Sequence, residues 1–292
     1  MQNKMINNNI IISMEATCDL SRNIIEENDF RIVKMNFLID GKEFSTDKDD
    51  VVSTDLYDKM KEGAKTSTSQ VNQIVYEEFF NELLKEGKDV LHLAFSSGLS
   101  ETCQSAINAS EKVNKNSKNK VYVIDSLCAC AGQGLLAIVA KKFIDSGCDI
   151  QSVIKYIEDK KMKVSHLFSV DNLKYLASGG RIKKSSAIVG NVLHIKPVMH
   201  ADKQGKLVVL QKVMSRKKAL KELLNIYYET SDDENKFCII SHADCLQDAI
   251  YIQENIKALK GVDSVITNLG PIIGSHSGPG TIAFFFISRT SR

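Results

Sequence analysis

The chain has 292 residues, enough for two ordinary domains with a substantial buried core. Its 43% hydrophobic and 25% charged residues are ordinary globular values and exclude a disordered or fibrous chain, while 38 basic against 36 acidic residues, a net charge of +2, give no electrostatic footprint for nucleic acid. The seven cysteines, at 18, 103, 128, 130, 148, 238 and 245, form no CxxC and no Cys/His ligand spacing, so reduced thiols, no metal centre and a cytoplasmic location are expected.

The opening MQNKMINNNIIISM has a short apolar run without a small-residue cleavage site, and reads as a first strand rather than a signal peptide. No stretch approaches the roughly 18 continuous apolar residues a membrane span needs. After ATCDLS, Ser21 is placed to cap a short helix. IVKMNFLID and GKEFST predict two strands joined at a Gly turn, and VSTDLYDKMKEG a helix that Gly63 ends. AKTSTSQVNQ then puts Thr66, Ser67, Thr68 and Ser69 ahead of the helical pattern QIVYEEFFNELLKEG. Capping a helix takes one hydroxyl, which leaves the others as candidate ligand donors.

DVLHLAF, SSGLSETCQSAINASEKV and VYVID give the strand, helix, strand rhythm of a parallel sheet. In that rhythm ligand loops follow the carboxyl ends of strands, which selects Ser96, Ser97 and Gly98, and Asp125 with Ser126. AGQGLLA matches GxGxxA but does not directly follow a strand, and the next pattern, DIQSVIKYIEDKK, is helical. It is therefore read as small residues that let a helix lie close to the sheet, not as a dinucleotide site.

The polar stretch around residues 163–165 marks a boundary between an N-terminal domain, 1–164, and a C-terminal one, 165–292. Beyond it come a short helix ending at Gly179 and Gly180, the basic residues Arg181, Lys183 and Lys184, and another helix before IKPVMH. IKPVMHADKQGKLVVLQKV predicts two strands around an Asp-Lys-Gln-Gly turn. Two helices alternate with the strands FCIISHA and SVITNLG, and GPIIGSHSGPG leads into the strand IAFFFIS. With four Gly and two Pro in eleven residues, GPIIGSHSGPG is expected to be a shaped loop that carries His276.

Two chemistries fit these loops. Ser96 or Ser97 as nucleophile, His276 as base and Asp125 as orienter supply the residues of a serine hydrolase acting on acyl esters, although SSGLS lacks the G-x-S-x-G elbow. Alternatively the hydroxyls and the imidazole converge on a carboxylate, which only accepts hydrogen bonds. An apolar tail on such a ligand would add roughly 0.8 kcal/mol per buried CH₂. Another small amphiphile would suit the same loops.

Four segments in order carry a resemblance: KTSTSQVN, AFSSGLSETCQSA, NLKYLASGGRI and IGSHSGPGTIAFFF. Together they resemble the Thr-Ser-Gln-Pro, Ser-Ser-Gly-Leu-Ser-Gly-Thr, Leu-x-Gly-Gly-Arg-Ile and Gly-x-His-x-Gly-Pro-Gly motifs of the DegV family, which includes fatty-acid-binding subunits of bacterial fatty acid kinase. The resemblance implies two α/β domains with a lipid-binding cavity at their junction. It also implies a non-catalytic protein, without a cofactor, that presents a long-chain fatty acid to a separate kinase for acyl-phosphate formation in phospholipid metabolism. Thr68, Ser69, Ser96, Ser97, Gly98 and His276 fall on the motifs as ligand residues, with Thr66 and Ser67 as an alternative register for the first pair. Val71 stands where Pro is usual, Glu101 where Gly is usual, and SMEAT where Thr-Asp-Ser-Thr is usual. Arg181, Lys183 and Arg216, with Lys184, form a candidate docking face for an acidic kinase surface or for transient contact with an anionic membrane.

Overall fold

The computed structural model describes residues 9–47, 53–183, 195–232 and 237–292. Lys184 and the helix expected before IKPVMH lie outside the described residues. The chain is a mixed α/β protein built on three sheets.

The first sheet is fully parallel, in the order β2-β1-β6-β7, from β1 (Ile10–Glu15), β2 (Arg31–Val33), β6 (Asp89–Ala94) and β7 (Val121–Asp125). β1 and β6 bury five of their six residues each, which is why they read as continuous apolar runs rather than alternating ones. A small antiparallel sheet, β4-β3-β5, joins β3 (Asn36–Ile39), β4 (Lys42–Ser45) and β5 (Thr66–Thr68). The third sheet has six strands in the order β10-β9-β8-β13-β11-β12. It contains β8 (Val164–Ser169), β9 (Ile195–Ala201), β10 (Leu207–Met214), β11 (Phe237–His242), β12 (Asp263–Asn268) and β13 (Ile282–Ile287). β8 begins at Val164, so a strand occupies the stretch that the sequence suggests as a polar connection.

The helix Ala131–Asp145 lies between the two larger sheets, packing on β1 and β6 on one side and on β8, β11 and β13 on the other. Its small residues make this possible: a Cβ on Gly132 would stand 2.2 Å from His166 Nε2. One apolar core consequently runs through both halves, from Ile11 and Leu91 to Phe285 and Ile287. A second core fills the far face of the six-stranded sheet beneath the helices Arg216–Thr230 and Leu246–Lys260. Among the described residues no helix is long and apolar enough to cross a membrane.

Two segments differ from their sequence reading. The hydroxyl run does not start a helix: Thr66–Thr68 form strand β5, and Asn72 caps the helix Gln73–Leu84 by accepting the Val75 N–H. GPIIGSHSGPG is not mainly a loop, because Pro271–Ser277 form a short helix with Gly270 as N-cap. Proline at the first helical position brings the φ the helix needs and loses no hydrogen bond. Gly274 is required inside that helix, since a Cβ there would stand 2.3 Å from the Tyr57 hydroxyl oxygen.

Candidate functional site

A cavity of about 550 Å³ opens where the small sheet, the ends of β6 and β13 and the helix Pro271–Ser277 meet. Phe95, Phe168, Leu269, Ile272, Ala283 and Phe285 make its walls largely apolar. Oxygen and nitrogen donors come from four separate segments: Thr68 and Ser69 at the end of β5, Ser97 after β6, Arg181 beyond the helix Lys174–Ser178, and His276 on the helix Pro271–Ser277. A cavity of this size, with apolar walls and a few placed polar groups, suits one small amphiphilic ligand.

His276 Nε2 lies 2.7 Å from Thr68 Oγ1. Burial and the neighbouring positive charge of Arg181 push the imidazole down to a pKa of about 4, so it is neutral at ordinary pH. A neutral imidazole has one donor nitrogen. If that nitrogen is Nε2, the Thr68 oxygen accepts from it and the Thr68 hydroxyl proton is left to point into the cavity. In that tautomer His276 positions Thr68 as well as lining the site itself. Of the alternative pair, Thr66 Oγ1 donates to the Ser275 carbonyl at 3.0 Å and Ser67 is exposed, and neither lines the cavity, whereas Thr68 and Ser69 do.

Arg181 is half-buried, and burial lowers its pKa. Its Nε donates to the Leu99 carbonyl at 3.2 Å and its Nη1 to the Gly179 carbonyl at 2.5 Å, both neutral acceptors. A cation held by carbonyls at a cavity wall favours an anionic ligand group there. Glu101 also lines the cavity, from an exposed position ahead of the helix Thr102–Val113.

The remaining candidates are placed differently. Ser96 is fully buried, and its Oγ donates to the Gly205 carbonyl at 2.9 Å, which ties the end of β6 to the turn between β9 and β10. Gly98 donates its N–H to Ser96 Oγ at 3.2 Å. Neither lines the cavity. Asp125 Oδ1 accepts the N–H groups of Ser97 and Leu127 at 3.2 and 3.0 Å, so it shapes the loop and does not orient His276. Among the described residues no hydrogen bond joins Ser96 or Asp125 to His276, the contacts that the alternative serine-hydrolase reading would use with those two residues. Lys183 is exposed two residues beyond Arg181, whereas Arg216 is committed to an ion pair with Asp248 at 2.8 Å. Among the described residues no group of three or more His, Cys, Asp or Glu is arranged to hold a metal ion.

Two buried acids, Glu15 and Asp19, lie behind the cavity and were not singled out from the sequence. Glu15 accepts from Tyr76 Oη at 2.5 Å, the Phe95 N–H at 3.0 Å and Gln133 Nε2 at 2.6 Å, with His92 Nε2 at 3.2 Å. Burial works against its charge, yet His92, Tyr76 and Gln133 outweigh it and hold the carboxyl below its usual range. Asp19 accepts from the Gly270 N–H at 3.0 Å and from Cys130 Sγ at 3.1 Å, and burial lifts its pKa to about 7. Their only signature is an acid beside an apolar run, which in β1 proves to lie inside the core.

The family model described as "Uncharacterised protein, DegV family" matches residues 9–289. A DegV domain-containing protein of Clostridium perfringens is 35% identical over 96% of this chain and 98% of its own. Among solved structures, a DegV family protein from Thermus thermophilus, described by its fatty acid binding, is 26% identical with a TM-score of 0.86, covering 96% of this chain and 99% of its own. DegV from Bacillus subtilis, described as a fatty acid binding protein, is also 26% identical, with a TM-score of 0.84 and the same coverage.

Proposed function

The chain belongs to the DegV family, and on that premise we propose that it holds one long-chain fatty acid and presents the carboxylate to a separate ATP-dependent kinase. The observation that carries this reading is the cavity itself, about 550 Å³ with apolar walls and with Thr68, Ser69, Ser97 and Arg181 gathered on it. The tail supplies affinity through apolar burial, and the donors fix the head. Thr68 and Ser97 make the direct contacts and His276 orients Thr68, while Arg181 offsets the ligand charge. Ser69 and Ser97 are exposed, which leaves the carboxylate end within reach of a partner.

The protein is read as a carrier and not a catalyst. Nucleophilic attack by Ser96 would need a base in contact, and its hydroxyl is instead bonded to a backbone carbonyl. Formation of an acyl phosphate would then be the partner's chemistry, with Arg181 on the cavity and the exposed Lys183 two residues beyond it as docking residues.

Solvent extraction of denatured protein purified from a bacterial host, followed by mass spectrometry, should recover a long-chain fatty acid in near-stoichiometric amount. Protein that yields no fatty acid and then takes none up from solution would rule the reading out.

A further inference from the structure

A second cavity, of about 410 Å³, lies along the later turns of the helix Ala131–Asp145, whose first turn adjoins the first cavity at Ala129 and Cys130. Strand β13 serves both: Thr281, Ala283 and Phe285 line the first, and Ile287, two residues on and so on the same face of the strand, lines the second. Leu135 and Ile138 add apolar wall, together with the rings of Phe143, Tyr156 and Phe237. All three rings are only partly buried, and Phe143 and Tyr156 stack with centroids 4.2 Å apart.

Two ammonium groups stand on these rings. Lys142 Nζ lies 5.8 Å from the Phe237 ring centroid and Lys160 Nζ 5.6 Å from that of Tyr156, and both lysines line the cavity. Their neighbours in sequence, Lys141 and Lys161, are paired with Asp145 at 2.6 Å and Glu158 at 2.7 Å, whereas Lys142 and Lys160 have no ion pair among the described residues. Asp232 also lines the cavity, so two cations meet one carboxylate there. The recess therefore combines aromatic surface left partly in water with an excess of positive charge, and an anion with an apolar body answers both.

We infer that this cavity is a second ligand site, which takes a small organic anion with a flat, aromatic body. The inference goes beyond the fatty-acid reading and does not depend on it, because neither Lys142, Lys160 nor any of the three rings lines the first cavity. The body of the ligand packs on the rings and on Leu135 and Ile138, and its anionic group accepts from the two ammonium groups. Contact with the rings holds each ammonium over the cavity before a ligand arrives, which lowers the cost of ordering two long side chains. A bond from an ammonium to an anionic oxygen is charge-assisted, so charge sets the preference of the site. A neutral ligand of the same shape would gain the apolar contact alone.

The experiment uses full-length protein with palmitate added in excess, titrated by fluorescence with anilinonaphthalene sulfonate and with its uncharged counterpart phenylnaphthylamine. Three proteins are compared: wild type, Lys142→Gln with Lys160→Gln, and Lys142→Arg with Lys160→Arg. The double glutamine variant is expected to weaken the sulfonate on the order of tenfold and to leave phenylnaphthylamine within about twofold. The double arginine variant keeps both charges and should retain most of the sulfonate affinity. Thermal melts check that the variants fold. Sulfonate binding that the glutamine variant leaves unchanged would overturn the inference, and so would wild-type protein that shows no saturable sulfonate binding. Equal losses for the two probes would overturn it too, by showing a packing effect. Both lysines lie outside the first cavity, so a selective loss reports the second one even in protein that takes up no palmitate, and the two readings fail separately.

Discussion

The carboxylate of Asp19 accepts the N–H of Gly270 at 3.0 Å, across a separation of 251 residues. It thereby caps, from the opposite end of the chain, the helix that carries His276. Cys130 Sγ reaches the other oxygen at 3.1 Å, and both Cys130 and Leu269 line the cavity. A buried acid with so few donors titrates late, at about 7 in place of 3.8.

That shift sets a pH dependence with a definite sign. Asp19 holds its proton in the folded state between pH 3.8 and about 7, where the unfolded chain has lost it. Its contribution therefore falls as pH rises through that window and is constant above it, by at most about 4 kcal/mol. Asp19→Asn keeps an oxygen for the Gly270 N–H and removes the titration. Urea unfolding should show the variant gaining on wild type from pH 5 to pH 8; a stability difference that does not change with pH would refute the buried, late-titrating Asp19.

His276 acts in the opposite direction. Its folded pKa of about 4 lies below the ordinary 6.5, so its contribution is complete above pH 6.5 and is lost as pH falls toward 4. His166, His200 and His242, also lowered by burial, add to the same acid limb. His276→Gln should flatten part of that limb, and the His276 imidazole should stay neutral by NMR at pH 6. An imidazole half-protonated near 6.5 in the ligand-free protein would contradict its placement beside Arg181.

Gly274 tests the packing that seats the helix. Tyr57 is 1% exposed and donates its hydroxyl to the Leu269 carbonyl at 2.7 Å, and a Cβ on Gly274 would meet that hydroxyl at 2.3 Å and the ring at 2.9 Å. Gly274→Ala should cost roughly 1–3 kcal/mol of stability, as overpacking of a tight core does. Denaturant melts that leave Gly274→Ala as stable as wild type would show that the contact yields.

The strands and most helices were legible because burial imposes periodicity: β1, β6 and β13 are largely apolar, and Ser21 stands at a helix start, whereas the cap Asn72 was overlooked beside the hydroxyl run. The cavity-lining residues Thr68, Ser69, Ser97 and His276 were legible as polar groups on segments with no packing reason to be polar. Ser96 misled for the same cause, since its oxygen is consumed by a carbonyl 109 residues away. The helix Pro271–Ser277 was hidden by the glycines in and around it: Gly274 serves close approach to Tyr57, while Gly278 and Gly280, just beyond the helix, take the positive φ of a turn. Glu15 and Asp19 were illegible, because a buried acid is identified by its partners, and these come from Tyr76, His92, Gln133, Cys130 and Gly270.

The strand order of the six-stranded sheet constrains how the chain is made. β13, the last described strand to be synthesised, sits in the middle of the sheet with β8 on one side and β11 on the other. Until residues 282–287 are available, β8 and β11 each face a vacant lane, and the sheet is split into two smaller ribbons with open inner edges. A chain interrupted before that point should associate with its own kind or be cleared.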